Sequence, residues 1–276
     1  MKLKKFAPMM ILVLMMSILS GCGSDESEKV KTSLKIGMIT QLNMTPNQVN
    51  DLMETMGFES ETTYFDNFTS MLMALSSKNI DSIQTYNSVA KYMTDQDSKF
   101  EIKNKVALLD SFCCAMREED VNLRNEFDTA IKAMKNDGTL DNLIKKYITD
   151  IKKEPPSVEI AHIDGAETIK VGVTGDLPPL DLVLANGKPA GFNTAVLSEI
   201  SKRINKNIEL AQIDSSARAA ALTSGKVDVI FWVVVPADNS NRPADFDKPE
   251  GISVTTPYYQ DEVVNVNLSG AFAGMN

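Results

Sequence analysis

Between residues 34 and 266 the apolar positions keep switching between two spacings, short runs that suit strands and intervals of three or four that suit helices. Leu34 to Ile39 predicts a strand. Thr45 and Pro46 then supply a helix cap and a first-turn proline for a helix reaching about Met56, with Gly57 as its stop. Thr62 to Phe65 is rich in strand formers, Asp66-Asn67 interrupts it, and Phe68, Met71, Leu72 and Leu75 recur at helical spacing. Ile80 to Thr85 predicts a strand, Val89 to Met93 a helix, and Lys105 to Leu109 a further strand. Glu118 to Lys135 predicts a long helix with Val121, Phe127, Ile131 and Met134 on one stripe. Asp137-Gly138 ends it, and Leu140 to Ile148 continues as a last helix of this block.

The pattern lapses from Ile151 to Glu167, where Lys152-Lys153-Glu154-Pro155-Pro156 and later Asp164-Gly165 read as a surface linker. It holds the single histidine, His162, which reads as solvated. The alternation restarts with Ile169 to Val173, a hairpin turn at Asn186-Gly187, and a helix near Thr194 to Arg203. Ile208 to Ile213 predicts a strand, Ala217 to Thr223 a short helix, and Val227 to Val235 a buried strand. A loop with Pro236, Pro243 and Asp238 to Arg242 precedes a final strand, Glu262 to Val266. Strands alternating with helices throughout indicate an α/β body.

The first residues follow a different logic. Lys2, Lys4 and Lys5 precede an apolar run from Phe6 to Leu19, which is short for a bilayer span and is followed by Leu19-Ser20-Gly21-Cys22. A basic start, a short apolar core and small residues at a cleavage point describe a removable secretory signal, residues 1–21. Residues 22–33 are polar and read as a tether.

The chain carries a formal charge of −9, and loss of the three lysines in residues 1–21, where no acid stands, leaves −12. So acidic a body disfavours nucleic acid and anionic lipid as partners. Of the three cysteines, Cys113 and Cys114 are adjacent, a placement that strains a mutual disulfide, and they read as small buried strand residues. No nucleophile has a base beside it, no Cys/His spacing suits a metal, and no glycine loop would cradle a phosphate, so no enzyme and no cofactor is expected.

Several phrases together resemble the bacterial extracellular solute-binding proteins of the polar amino-acid type. They are IKVGVTGDLPPLDLVLANGKPAGFNTAVLSEISKRI, ALTSGKVDVIFW and TPYYQDEVV in residues 168–266, and NEFDTAIKAMKNDGTLDNLIKKY within 108–147. ALSSKNIDSI is a weaker match to the second lobe of the same family. Leu19-Ser20-Gly21-Cys22 resembles the lipobox of bacterial lipoproteins, which implies acylation of Cys22.

The resemblance implies an α/β, two-lobed periplasmic-binding-protein-like (type II) clamshell. The matching blocks stand in reversed order, which points to a circularly permuted chain. Lobe 2 would be residues 34–103, and lobe 1 residues 104–151 and 168–266, with 152–167 joining the old ends and 267–276 a tail. A tandem of two small modules is the competing arrangement, although each half is only about 100 to 120 residues and neither carries a complete two-lobed pattern.

In the family an aromatic covers the ligand side chain, an arginine forks onto its carboxylate and an acid meets its ammonium. Here the aligned positions hold Leu177, beside Asp176 and ahead of Pro178-Pro179, and Tyr86, with Arg242 about two places late. Trp232 stands where the family is rich in Ser and Thr, and Thr45 is either a helix cap or an anion contact. Two readings follow: a more apolar or aromatic solute gripped by Trp232, Tyr86 and Leu177 with Arg242 on any carboxylate, or a cleft that no longer binds. The function implied is a lipid-anchored extracytoplasmic capture protein, held on the cell membrane, for a small solute, an amino acid or related compound. The expected partners are that solute, the permease and ATPase of an ABC transporter, and the membrane through the anchor, with no nucleic acid. A non-transport sensor or signalling lipoprotein with a degenerate cleft is the alternative.

Overall fold

A computed structural model of the chain describes residues 33–57, 59–237 and 247–270. The first block runs β1 (Leu34–Ile39), α1 (Pro46–Thr55), β2 (Ser60–Phe65), α2 (Phe68–Ser76), β3 (Ser82–Tyr86), α3 (Asn87–Gln96) and β4 (Phe100–Arg117). Two helices follow, α4 (Val121–Asn136) and α5 (Thr139–Ile144), the latter continuing into a π-helical turn at Lys145–Thr149. The second block runs β5 (Thr168–Val173), β6 (Asp176–Leu177), β7 (Asp181–Val183), β8 (Pro189–Ala190), α6 (Phe192–Ile204) and β9 (Asn207–Gln212). It ends with α7 (Arg218–Thr223), β10 (Val229–Pro236), β11 (Ile252–Val254) and β12 (Tyr259–Leu268).

Local chemistry explains most boundaries. Thr45 closes a capping box on α1: its hydroxyl accepts from Gln48 N at 3.3 Å while its own N–H donates to Gln48 Oε1 at 2.8 Å. Asn67 caps α2 by accepting from Ser70 N at 2.9 Å, so the expected break at Asp66-Asn67 is a helix start. Gly191 opens α6 with φ +95°, and a Cβ there would lie 2.8 Å from Pro179 O and 2.9 Å from Leu180 O. Those carbonyls accept from Phe192 N and Asn193 N, two of the otherwise unpaired helix-start donors.

The main sheet runs β2-β1-β3-β12-β4-β10-β5-β9, with β11 also on β4. It contains the same design twice. Around β1, the parallel strands β2, β1 and β3 are followed by antiparallel β12 and then β4. Around β5, the parallel strands β9, β5 and β10 are followed by antiparallel β4 and then β11. We name these bodies lobe 2 and lobe 1 respectively.

β4 belongs to both. Its start, Phe100 to Lys105, pairs with Val264 to Leu268 of β12, and its end, Asp110 to Ala115, pairs with β10. Its 18 residues far exceed the predicted Lys105 to Leu109, because polar Asn104, Asp110 and Ser111 break the apolar run while long-range pairing on both edges fixes the strand. β12 likewise places Val263 to Val266 beside β3 of lobe 2. Phe127, Ile131 and Met134 of α4 share a buried core with Val171 and Val229, and Arg203 of α6 bonds Asp137 and Thr139 at the far end of α4.

Candidate functional site

The C-terminal ends of β1, β3 and β10 converge on the middle of β4, as edge carbonyls and helix starts do at the open side of α/β sheets. A cavity of about 70 Å³ lies there between the lobes. Its wall is mostly apolar, with Met38, Ile39, Met44, Val49, Leu52, Met53, Leu108, Leu177, Val234, Val235 and Val263. Gln41, Gln84, Thr85, Tyr86, Asp110 and Asp247 supply its polar groups. That space suits a small cluster of waters and falls short of the roughly 300 Å³ or more that pockets for small organic ligands offer.

Around this cavity the lobes are joined by hydrogen bonds. Asp247 of lobe 1 accepts from three consecutive amides of the β1–α1 turn: Leu42 N at 2.8 Å, Asn43 N at 2.6 Å and Met44 N at 2.9 Å. Asp176 accepts from the first amides of α2, Phe68 N at 2.7 Å and Thr69 N at 3.3 Å. Asp261 of β12 accepts from Ser88 N at the start of α3, at 2.9 Å. All three helices of lobe 2 thus have a carboxylate from elsewhere in the chain at or just before their positive ends. In the reverse direction, Arg218 donates to Thr40 O at 2.9 Å and Ser215 N to Asp66 O at 3.0 Å.

Arg218 is 4% exposed. Its fork also donates to Trp232 O at 2.9 Å and Ser215 O at 3.2 Å, and its guanidinium lies 5.0 Å from the Trp232 ring centroid. Burial pulls its pKa below the ordinary arginine value, against the opposing pull of Asp247, Tyr86 and Asp181. Trp232 meets Tyr86 edge-on at 5.8 Å and Phe112 at 5.6 Å, and Tyr86 meets Phe112 at 4.7 Å. Burial raises the Tyr86 hydroxyl well above its usual pKa, with Asp110 adding to the rise. Asp176 is also raised, by burial first, although the amides of Thr69 and Phe68 oppose it.

The residues singled out from the sequence are placed as follows. Leu177 and Tyr86 line the cavity. Asp176 caps α2, Thr45 caps α1, and Trp232 is 3% exposed within the aromatic cluster, its Nε1 without a hydrogen-bond partner among the described residues. Arg242 and Cys22 lie outside the described residues. Cys113 and Cys114 are buried free thiols on β4, and His162 lies near Asp164 at 3.6 Å. Sequence reasoning missed Arg218 and Asp247. Arg218 had one available signal, a lone charge opening the otherwise apolar helix Arg218-Ala219-Ala220-Ala221-Leu222; Asp247 stands among other loop acids, with nothing to mark it.

A family model, bacterial extracellular solute-binding proteins, family 3, matches residues 44–150 and 169–266. A glutamine-binding protein of an ABC transporter from Bacillus subtilis is 27% identical over 99 residues, 36% of this chain. The match spans 35% of that relative's length. Among solved structures, the ligand-binding component of an ABC-type import system from Staphylococcus aureus aligns with a TM-score of 0.46 and 11% identity, covering 89% of this chain and 69% of that one. A putative L-cystine ABC transporter from Listeria monocytogenes aligns with a TM-score of 0.42 and 12% identity, covering 87% and 84%.

Proposed function

This chain belongs to the bacterial extracellular solute-binding proteins of family 3, and we propose that it captures an amino acid or related compound with a largely apolar body, at the extracytoplasmic face of the cell membrane, for ABC-type uptake. Proteins of this family bind small solutes outside the cytoplasm and hand them to a permease. The observation that carries the reading is the interlobe cavity: strand ends from both lobes meet at a wall of Met38, Met44, Met53, Leu177 and Val234, with Tyr86 and Gln84 as directing polar groups. Capture would require the lobes to part and re-close, because the space between them is about 70 Å³.

Anchoring through acylated Cys22 is part of the proposal and rests on Leu19-Ser20-Gly21-Cys22 alone. Among the described residues no helix is long and apolar enough to cross a membrane. We also read the chain order as a circular permutation, with lobe 2 at 34–103, lobe 1 at 104–151 and 168–266 apart from the exchanged strands β4 and β12 where the lobes join, and 152–167 bridging the old ends. The packing of α4 from the first block into one core with Val171 and Val229 of the second supports that reading.

A non-transport sensor with a degenerate cleft is favoured by one observation, that chain carboxylates already occupy the amides of lobe 2 that face the gap. A thermal-shift screen of the protein lacking its first 22 residues separates the two. Stabilisation by apolar amino acids, with a change in small-angle scattering, supports capture; no response across amino acids and peptide fragments sinks it.

A further inference from the structure

We propose that the protein carries its own latch across the cleft, with Asp247 and Asp176 acting as internal ligands of lobe 2. Both carboxylates leave lobe 1 and end on backbone amides of the other body. Asp247 gathers three consecutive donors, Leu42 N, Asn43 N and Met44 N, at 2.8, 2.6 and 2.9 Å. Asp176 takes Phe68 N at 2.7 Å and Thr69 N at 3.3 Å. A bond from an amide to an ionised oxygen is about twice as strong as its neutral counterpart, and a run of amides turned to one point forms a concave anion seat. Each seat is filled from across the gap rather than from its own lobe.

Two further bonds return across the same gap from lobe 1, Arg218 Nη2 to Thr40 O at 2.9 Å and Ser215 N to Asp66 O at 3.0 Å. Opening therefore breaks a set of bonds distributed along the interlobe face, and it leaves Arg218, 4% exposed, short of one acceptor. The latch rests on the two-lobed geometry alone, so it stands or falls whether or not a solute is captured.

Amide hydrogen exchange on the solute-free protein lacking its first 22 residues tests this. The amides of residues 42–44, 68 and 69 should be protected in the wild type. Asp247→Ala should speed exchange at 42–44 by at least roughly tenfold, the loss expected for charged-acceptor bonds, while β1 and β3 amides keep their rates. The double variant with Asp176→Ala should also show a larger radius of gyration in solution scattering. Wild-type amides at 42–44 exchanging at unprotected rates overturn the latch without any variant. So does an Asp247→Ala protein that stays folded with those rates unchanged. Asp247→Asn, which keeps a neutral acceptor, should give an intermediate rate, and equality with wild type counts against the proposal.

Discussion

The two lobes share one strand order and meet each other with unlike chemistry. In the hydrogen bonds that cross the gap, lobe 1 uses the side chains of Asp176, Asp247 and Arg218 together with Ser215 N, whereas lobe 2 answers with main-chain groups, the amides of residues 42–44, 68 and 69 and the carbonyls of Thr40 and Asp66. The difference sets where substitutions can act. A backbone donor survives almost any replacement of its own side chain, so the interlobe face should be sensitive to mutation on one side and tolerant on the other.

The comparison breaks most sharply at the strand the lobes share. Phe112 of β4 is fully buried and touches Tyr86 from lobe 2 and Trp232 and Tyr258 from lobe 1. Phe112→Ala should cost roughly 3–5 kcal/mol, as deletion of a buried aromatic does, in one unfolding transition seen alike by tryptophan fluorescence and circular dichroism. Two separated transitions would mean that the lobes are energetically independent bodies.

Arg218→Met comes next. It keeps the apolar stem over Trp232 but strips the donors from Ser215 O, Trp232 O and Thr40 O. A loss of roughly 3 kcal/mol in urea unfolding is expected, from buried acceptors left unpaired. Arg218→Lys should recover less than half of it, because an ammonium cannot fork to three diverging carbonyls. Full recovery by lysine would reduce the role of Arg218 to charge.

These two sites also show what the chain disclosed in advance. The alternation of elements and the cap at Thr45 were legible, because they depend on local spacing and on residues within three or four positions, whereas the two-lobed plan was legible only through the resemblance of whole phrases to a family. Leu177 and Tyr86, picked out from the aligned phrases, both stand in the cavity wall, Leu177 as an apolar and Tyr86 as a polar member. What stayed hidden depends on distant partners: the full length of β4, which two edges define together, and Asp247, whose amides lie more than 200 positions away in sequence. Lobe 2's share of the interlobe hydrogen bonds is main chain, and main chain leaves no trace in residue identity.

Asp181 sharpens the contrast by doing inside lobe 1 what Asp247 does between lobes. Its carboxylate accepts from Thr174 N and Oγ1 at 2.9 Å and from Gly175 N at 3.1 Å. Burial nevertheless pushes its pKa up to about 6 from an ordinary 3.8, outweighing those donors. The folded state then holds a proton that the unfolded chain has already released. This contribution is complete below about pH 4 and is lost as pH rises to about 6. Asp181→Asn should abolish that fall, so the variant gains on the wild type across the window by no more than about 3 kcal/mol. Melting temperatures of the two proteins that run parallel from pH 4 to pH 7 would refute the assignment.

Thr45 gives the smallest effect and decides a question the sequence left open, whether it caps a helix or meets a ligand. Its hydroxyl and amide are both engaged with Gln48, and it is absent from the cavity wall formed by its neighbour Met44. Thr45→Ala should therefore cost roughly 0.5–2 kcal/mol in thermal or urea unfolding, with Thr45→Ser close to wild type, the signature of a lost cap. Any stabilisation by solute should be the same in Thr45→Ala as in the wild type, while Tyr86→Ala and Leu177→Ala, which alter the wall itself, should reduce it. A solute response that vanished in Thr45→Ala alone would move the binding face from the strand ends to the start of α1. Recognition by lobe 2 would then rest on the start of α1 rather than on the Tyr86 end of β3.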